Sequence, residues 1–263
     1  NDAPSLKRAD IGISMGIIGT DVARESSEVI LADDNFASIV DAIEEGRTVF
    51  RNVRRTSFFL VTTNAAEDLT IVSSMAMGLP LPLLPAQILW INLVEDGLPS
   101  IALSADQEKK GIMDERPRDP KEPILNKSLK IWMVYIFFIS GLAAFFAFLF
   151  FWKFSGQIEK ARSMTFVLMC LDSLIFAFSV RSFKQTVFRK DIFSNRYLVL
   201  ATLGGLALLL IAIYVPPVQK LLSTKPLNVA EWLFIILVSV IEIILIEGAK
   251  KRVFGFKKAK SLL

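Results

Sequence analysis

The chain has 263 residues, 53% of them hydrophobic, with a net charge of +4 and no histidine. A mean hydropathy of +0.50 excludes an ordinary water-soluble domain. The single cysteine, Cys170, excludes an internal disulfide, and the absence of a basic, aromatic-interleaved groove argues against nucleic-acid binding.

In chain order, ADIGISMG and SEVILAD read as short β-strands bounded by Gly and Asp. DNFASIVDAIEEGRTVFRNVRRTSF reads as a helix, with Asp34 or Asn35 as N-cap and an apolar stripe through Phe36, Ile39, Val40, Ile43 and Val49. Strand, strand, helix is the end of an α/β unit, and 1–50 is too short a stretch to close such a unit around a core. With its opening NDAP and no Met, the chain is expected to be the C-terminal part of a larger protein. No Pro or Gly interrupts the helix from Val49 toward the first apolar stretch, so it is expected to be a continuous rod able to carry force.

Six apolar stretches follow within 51–263, at approximately 56–79, 84–104, 129–152, 164–182, 197–215 and 231–248. Each approaches the ~20 residues that an α-helix needs to cross the hydrocarbon core. The expected fold is therefore a mainly α-helical membrane protein, a six-helix transmembrane bundle. Of the 30 lysines and arginines, the connections after the first, third and fifth stretches hold five between them. The rest lie before the first stretch, after the second and fourth, and in the tail. By the positive-inside rule, the N- and C-termini are expected in the cytoplasm, with lipid bilayer as the main partner.

Carboxylates and amides interrupt these apolar stretches. They are Asn64, Glu67 and Asp68 in the first, Asn92, Glu95 and Asp96 in the second, and Asp172 in the fourth. A carboxylate at the centre of a membrane helix costs roughly 2.5–3.5 kcal/mol, so five facing lipid would cost about 12–17 kcal/mol. They are expected to face one another, water or a cation. Asn64 and Glu67 are three residues apart and share a helix face, whereas Asp68 is turned away by about 100°. Asn92, Glu95 and Asp96 form a second cluster. Gly97 and Pro99 just beyond it are expected to loosen the helix and free backbone carbonyls. Carboxylate, amide and carbonyl oxygens suit a hard cation such as Ca²⁺.

At this point the residues resemble a family. NDAPSLKRADIGISMG is similar to the second half of the phosphorylation-domain hinge motif of P-type ATPases, usually GDGxNDxPxLKxAxIGIAMG. PAQILWINLVEDGLP resembles the sixth transmembrane segment of type II cation pumps, DERPRDPKEPIL the cytoplasmic loop after it, and LNVAEW the entry to the last helix. The resemblance runs through the whole chain and points to Ca²⁺ pumps of the sarco/endoplasmic-reticulum and secretory-pathway kind. It implies that the first 50 residues end an α/β, HAD-like phosphorylation domain. Asn1 and Asp2 would then sit beside the phosphorylated aspartate, with Asp2 holding the Mg²⁺ environment and Asn1 the phosphoryl oxygens of an ATP-driven phosphoenzyme cycle. Asn64, Glu67, Asn92, Glu95, Asp96 and Asp172 would be ligands of the transported cation. The phosphorylated Asp, the nucleotide-binding domain and the fourth membrane helix would come from missing N-terminal parts of the same chain, so the fragment alone would be inactive.

Glu95 stands where these pumps usually have Thr. The extra carboxylate reads as a ligand that changes stoichiometry, a proton carrier for counter-transport, or the partner of a cation elsewhere. Glu242, alone in the last stretch, reads as a helix-contact or lipid-interface residue. Glu247 reads as an interfacial ion-pair member, Cys170 as packing, and Trp90, Trp132, Trp152 and Trp232 mostly as an aromatic belt. A second functional reading is a non-catalytic or gradient-coupled cation-conducting module.

Overall fold

A computed structural model describes residues 2–107, 111–119, 121–183, 185–188 and 192–255. The chain divides into two compact units. Among the described residues, one comprises 2–51 and 111–117, and the other the remaining residues.

In the first unit, α1 (Ala3–Arg8) precedes β1 (Ile13–Met15), α2 (Asp21–Ser26) and β2 (Val29–Leu31). The two strands pair in parallel, Ile13 opposite Val29 and Met15 opposite Leu31. Thr20 caps α2, its hydroxyl accepting from the Ala23 N–H at 3.2 Å. Asp34 does not cap the next helix. It adopts a left-handed backbone conformation (φ 51°), and its carboxylate accepts the Ile17 and Ile18 N–H groups at 2.8 and 2.7 Å. The helix α3 (Ser38–Ala76) starts later than the N-cap expectation, with the Ser38 hydroxyl donating to Asp33 at 2.7 Å and Asn35 accepting the Ala37 N–H at 3.0 Å. The competing demand of two loop amides moved the start. Arg47 donates to the Ile112 and Glu115 carbonyls at 2.8 and 2.9 Å, and Arg51 pairs with Glu115 at 3.3 Å.

The Ile17 amide, foremost among its hydrogen bonds, holds the Asp34 carboxyl below the ordinary carboxylate range. Its contribution is therefore complete above that ordinary range and is lost as pH falls through the lowered value. We expect Asp34→Asn, which tolerates the same backbone conformation but keeps only one carbonyl acceptor, to speed hydrogen exchange at Ile17 or Ile18 near neutral pH. The difference from wild type should vanish in acid. Equal exchange at neutral pH would show that the carboxylate does not hold this loop.

In the second unit α3 continues unbroken to Ala76, as expected from its sequence; its 39 residues span about 60 Å at 1.5 Å each. The second predicted stretch is divided into α4 (Pro85–Trp90), a π-helical turn (Ile91–Glu95) and α5 (Gly97–Ser104). Then come α6 (Lys127–Ser155), α7 (Ile158–Val180), α8 (Arg196–Tyr214), the short α9 (Pro216–Leu222) and α10 (Val229–Phe254). Asn126, Asn195 and Asn228 cap α6, α8 and α10 through their side chains. Four helices among the described residues, α6, α7, α8 and α10, are long and apolar enough to cross a membrane, matching the last four predicted stretches. The first two stretches do not reach that standard, because amides and carboxylates dilute the apolar character of α3 and the π-turn divides the second.

The sequence explains the order of burial. Helix α7 has 78% of its apolar window buried against 28–33% for α6, α8 and α10, so it is the central helix. Gly141 brings α6 against α3, where an added Cβ would stand 2.8 Å from Leu69 Cδ2, and the Thr70 hydroxyl donates to the Gly141 carbonyl at 3.0 Å. Such close approach is how helices associate in lipid. Trp132 is not in an aromatic belt. It is fully buried, stacks on Phe58 at 4.8 Å and donates to the Ile246 carbonyl at 3.2 Å. Cys170 is buried, as expected of a packing residue.

Candidate functional site

The π-turn sets the geometry of the site. Its closing bond runs from the Asp96 N–H to the Ile91 carbonyl, five residues back, at 2.8 Å. In a regular helix Asn92, Glu95 and Asp96 would share one face; here they part. The loosening therefore lies in the turn that ends at Glu95, while Gly97 and Pro99, expected to cause it, belong to the regular helix α5. Pro99 still contributes, since it has no N–H to offer the Glu95 carbonyl four residues earlier.

Asn92 turns toward α3, donating to Glu67 Oε2 at 3.2 Å and to the Ile88 carbonyl of its own helix at 3.0 Å. Glu67 is buried, and its Oε1 has no hydrogen-bond partner among the described residues. Asp96 is fully buried and accepts from the Thr63 hydroxyl of α3 at 2.7 Å and from the Ser173 hydroxyl of α7. Glu67, Asn92 and Asp96 thus come together from two elements, with α7 supplying the third wall. Thr63 and Ser173 carry no charge and were missed in the sequence, although the adjoining Asn64 and Asp172 mark both positions.

Other predicted residues stand apart. Asn64 spends its amide on the Leu60 carbonyl of its own helix at 2.7 Å. Asp68 is exposed, about 100° around α3 from Glu67. Glu95 is fully buried, and neither of its oxygens has a hydrogen bond of ordinary geometry, although the Trp90 indole is a polar neighbour. It points at α8, where a Cβ on Gly205 would lie 2.9 Å from Oε2, so a larger residue there would push the Glu95 side chain aside. Asp172 is half-buried and neighbours Ser239 and Glu242 of α10. Asp2 precedes α1, exposed, and its carboxylate does not cap that helix. Asn1 lies outside the described residues.

A cavity of about 40 Å³ joins these groups, with Thr63, Glu67, Asp96, Asp172, Ser173 and Glu242 in its wall. That volume holds about three waters at the ~10–15 Å³ each needs, or a cation with part of its hydration.

Buried acids elsewhere in the unit are treated differently. Asp106 accepts from Arg181 Nε at 2.9 Å and lies 3.4 Å from Arg55 Nη1, all three being at most 4% exposed. Asn52 donates to the Ser104 and Asp106 carbonyls beside it at 3.1 and 2.7 Å. Glu247 pairs with the fully buried Lys250 at 3.1 Å, accepts from Ser179 and receives the Val187 N–H at 3.0 Å. The ion pair expected of Glu247 is present, with both partners buried in the unit.

Residues 80–252 match the family described as Cation transporting ATPase, C-terminus. The chain belongs to this family. It is 41% identical over 250 residues to a calcium-transporting ATPase of Bacillus subtilis, covering 95% of this chain and 28% of that protein. It is 36% identical to the human calcium-transporting ATPase type 2C member 1, covering 90% of this chain and 26% of the relative. A cation-transporting ATPase of Synechocystis is 37% identical, with 88% and 26% covered. The chain thus spans between a quarter and a third of the length of these relatives. The matched family segment includes Asn92, Glu95, Asp96 and Asp172; Glu67 lies before it. With four apolar helices of crossing length, this member of the family is an integral membrane protein.

Proposed function

We propose that this chain is the cation-binding membrane part of an ATP-driven pump that carries Ca²⁺ through a phosphoenzyme cycle. One observation carries the reading. Glu67, Glu95, Asp96, Asp172 and Glu242 have no lysine or arginine bonded to them among the described residues, whereas the buried Asp106 and Glu247 do. A buried carboxylate without a resident counter-charge must bind a proton or a mobile cation. The names of the relatives, calcium-transporting ATPases among them, support Ca²⁺ as that charge.

In this reading Asn64, Glu67, Asn92, Glu95, Asp96 and Asp172 are the ligand set. Asn92 holds Glu67 in place, and the Thr63 and Ser173 hydroxyls hold Asp96 while leaving lone pairs of its carboxylate free. Six crossings, the first by α3 and the second by α4–α5, keep both termini in the cytoplasm and the cluster within the bilayer. The first unit ends a phosphorylation domain of HAD type, completed by earlier parts of the longer protein. Asp2, exposed and unused as a cap, fits a place beside Mg²⁺, with Asn1 next to it. Mg²⁺ with ATP supplies neutralisation of phosphoryl charge there.

The test is acid-stable phosphoenzyme formed from ATP by the full-length protein in membranes as free Ca²⁺ is titrated. Phosphoenzyme should rise with Ca²⁺. No phosphoenzyme with any cation would overturn the pump; phosphoenzyme indifferent to Ca²⁺ would overturn the choice of cargo.

A further inference from the structure

Helix α6 enters its apolar run behind two lysines that the fold leaves unused. Lys127 and Lys130, one turn apart, are exposed, and their side chains have no ion pair among the described residues. Lys160, Lys225 and Lys250, by contrast, each pair with a carboxylate. Both unused lysines line an open groove of about 530 Å³, to which Pro123 and Leu125 of the incoming segment and Ile131 and Val134 of α6 add apolar surface. That volume falls within the ~300–1,000 Å³ of small-molecule sites. The helix end adds to the positive charge. Asn126 accepts the Leu129 N–H at 3.1 Å, and the Lys127 and Ser128 N–H groups stay free among the described residues. Glu122, an acid close by in the sequence, is already held by Arg54 at 3.1 Å and by the Asn126 amide at 3.0 Å. Beyond the lysines, Ile131, Val134 and Phe138 continue the same exposed face at spacings of three and four residues. Phe138 lies eleven residues after Lys127. At 1.5 Å each this is about 16 Å, about the depth of one leaflet of a ~30 Å hydrocarbon core.

We propose that this groove binds one anionic phospholipid, with its phosphate held by Lys127, Lys130 and the free amides, and an acyl chain lying along Ile131, Val134 and Phe138. In the topology proposed above, this end of α6 faces the cytoplasm, where anionic lipids give the leaflet its negative potential and basic pockets beside membrane helices take their headgroups. Charge selects the occupant. Phosphatidylcholine would bring its own ammonium to two unpaired lysines, whereas phosphatidylglycerol brings the anion alone. The site requires that α6 crosses a membrane and does not require that the protein pumps.

Native mass spectrometry of the delipidated full-length protein tests this, with phosphatidylglycerol or phosphatidylcholine of the same chains titrated in detergent. Each lysine near a membrane surface contributes about fivefold to binding an anionic lipid, so wild type is expected to bind the first phosphatidylglycerol about 25-fold more tightly than phosphatidylcholine. Lys127→Gln combined with Lys130→Gln should erase that preference and leave phosphatidylcholine binding unchanged. Neither lysine has a partner to lose among the described residues, so the double variant should keep the wild-type unfolding midpoint. Arg196→Gln, which removes an exposed cation from the first turn of α8, should keep the preference. A wild type without the preference, a double variant that retains it, or an equal loss in Arg196→Gln would overturn the site. Displacement of the lipid by millimolar inorganic phosphate would overturn the lipid as occupant and leave only an anion at a helix end.

Discussion

Asp96→Asn is expected to raise the Ca²⁺ concentration needed for phosphoenzyme formation by about 30- to 4,000-fold while leaving the protein folded. Removing one partner of a desolvated charge pair costs about 2–5 kcal/mol, and each 1.4 kcal/mol is tenfold. The amide is isosteric, and the Thr63 and Ser173 hydroxyls can rotate to bond it, one donating to its oxygen and the other accepting from its nitrogen. The variant therefore keeps the packing and loses the charge. Thr63→Val serves as a comparison, since it removes one hydroxyl that aims the carboxylate without touching its charge, and should have a smaller effect. A Ca²⁺ titration of phosphoenzyme unchanged in Asp96→Asn would remove Asp96 from the ligand set.

Asp106→Asn should damage the fold itself. Its carboxylate lies between the guanidinium groups of Arg55 on α3 and Arg181 at the end of α7, and none of the three is more than 4% exposed. Loss of the anion leaves two positive charges together in a low-dielectric interior. Breaking a buried pair from one side costs about 3–5 kcal/mol. At roughly 2–4 °C per kcal/mol for a domain of this size, the unfolding midpoint should fall by about 6–20 °C. Thermal unfolding of the purified protein in detergent measures this. A midpoint within error of wild type would show that the guanidinium groups find other compensation. The contrast with Asp96 is instructive: neutralising one buried aspartate should cost affinity, and neutralising the other should cost stability, because only Asp106 has a resident counter-charge.

The parts of this architecture that follow from local pattern were legible in the sequence. Helices α6, α7, α8 and α10 are long uninterrupted apolar runs with asparagine or glycine punctuation, and hydropathy places the ends of α6 and α8 within three residues but misses the start of α7 and the end of α10 by six, where charged residues extend the helices. The continuity of α3 could be read from its lack of breakers after Gly46. What depended on tertiary contact could not be read. Nothing in INLVE announces a five-residue hydrogen bond, because the α and π registers use the same residues and packing selects between them. Glu242 looked isolated because its neighbours, Asp172 and Ser140, are far away along the chain and come together only when α10 packs beside α6 and α7. Trp132 lay near a span end in sequence, yet Phe58 of α3 offered it a stacking partner in the interior. Asp34 is the same lesson at a loop, where two amides from a preceding turn outcompeted the helix end.

The π-turn at Ile91–Glu95 has one further consequence, which concerns phase. An α-helix advances about 100° per residue, and closing a bond over five residues instead of four stores one residue of slack, so everything after the turn is rotated by about that angle relative to everything before it. Position in the sequence and position around the helix therefore obey one rule from Pro85 to Trp90 and a shifted rule from Gly97 to Ser104. Deleting a single residue between Asn92 and Glu95 would remove that slack, let the turn close with an ordinary four-residue bond, and put Asp96 rather than Glu95 three positions on from Asn92. Among related chains, a one-residue gap in this stretch would mark a re-aimed set of oxygens in a helix of almost unchanged length.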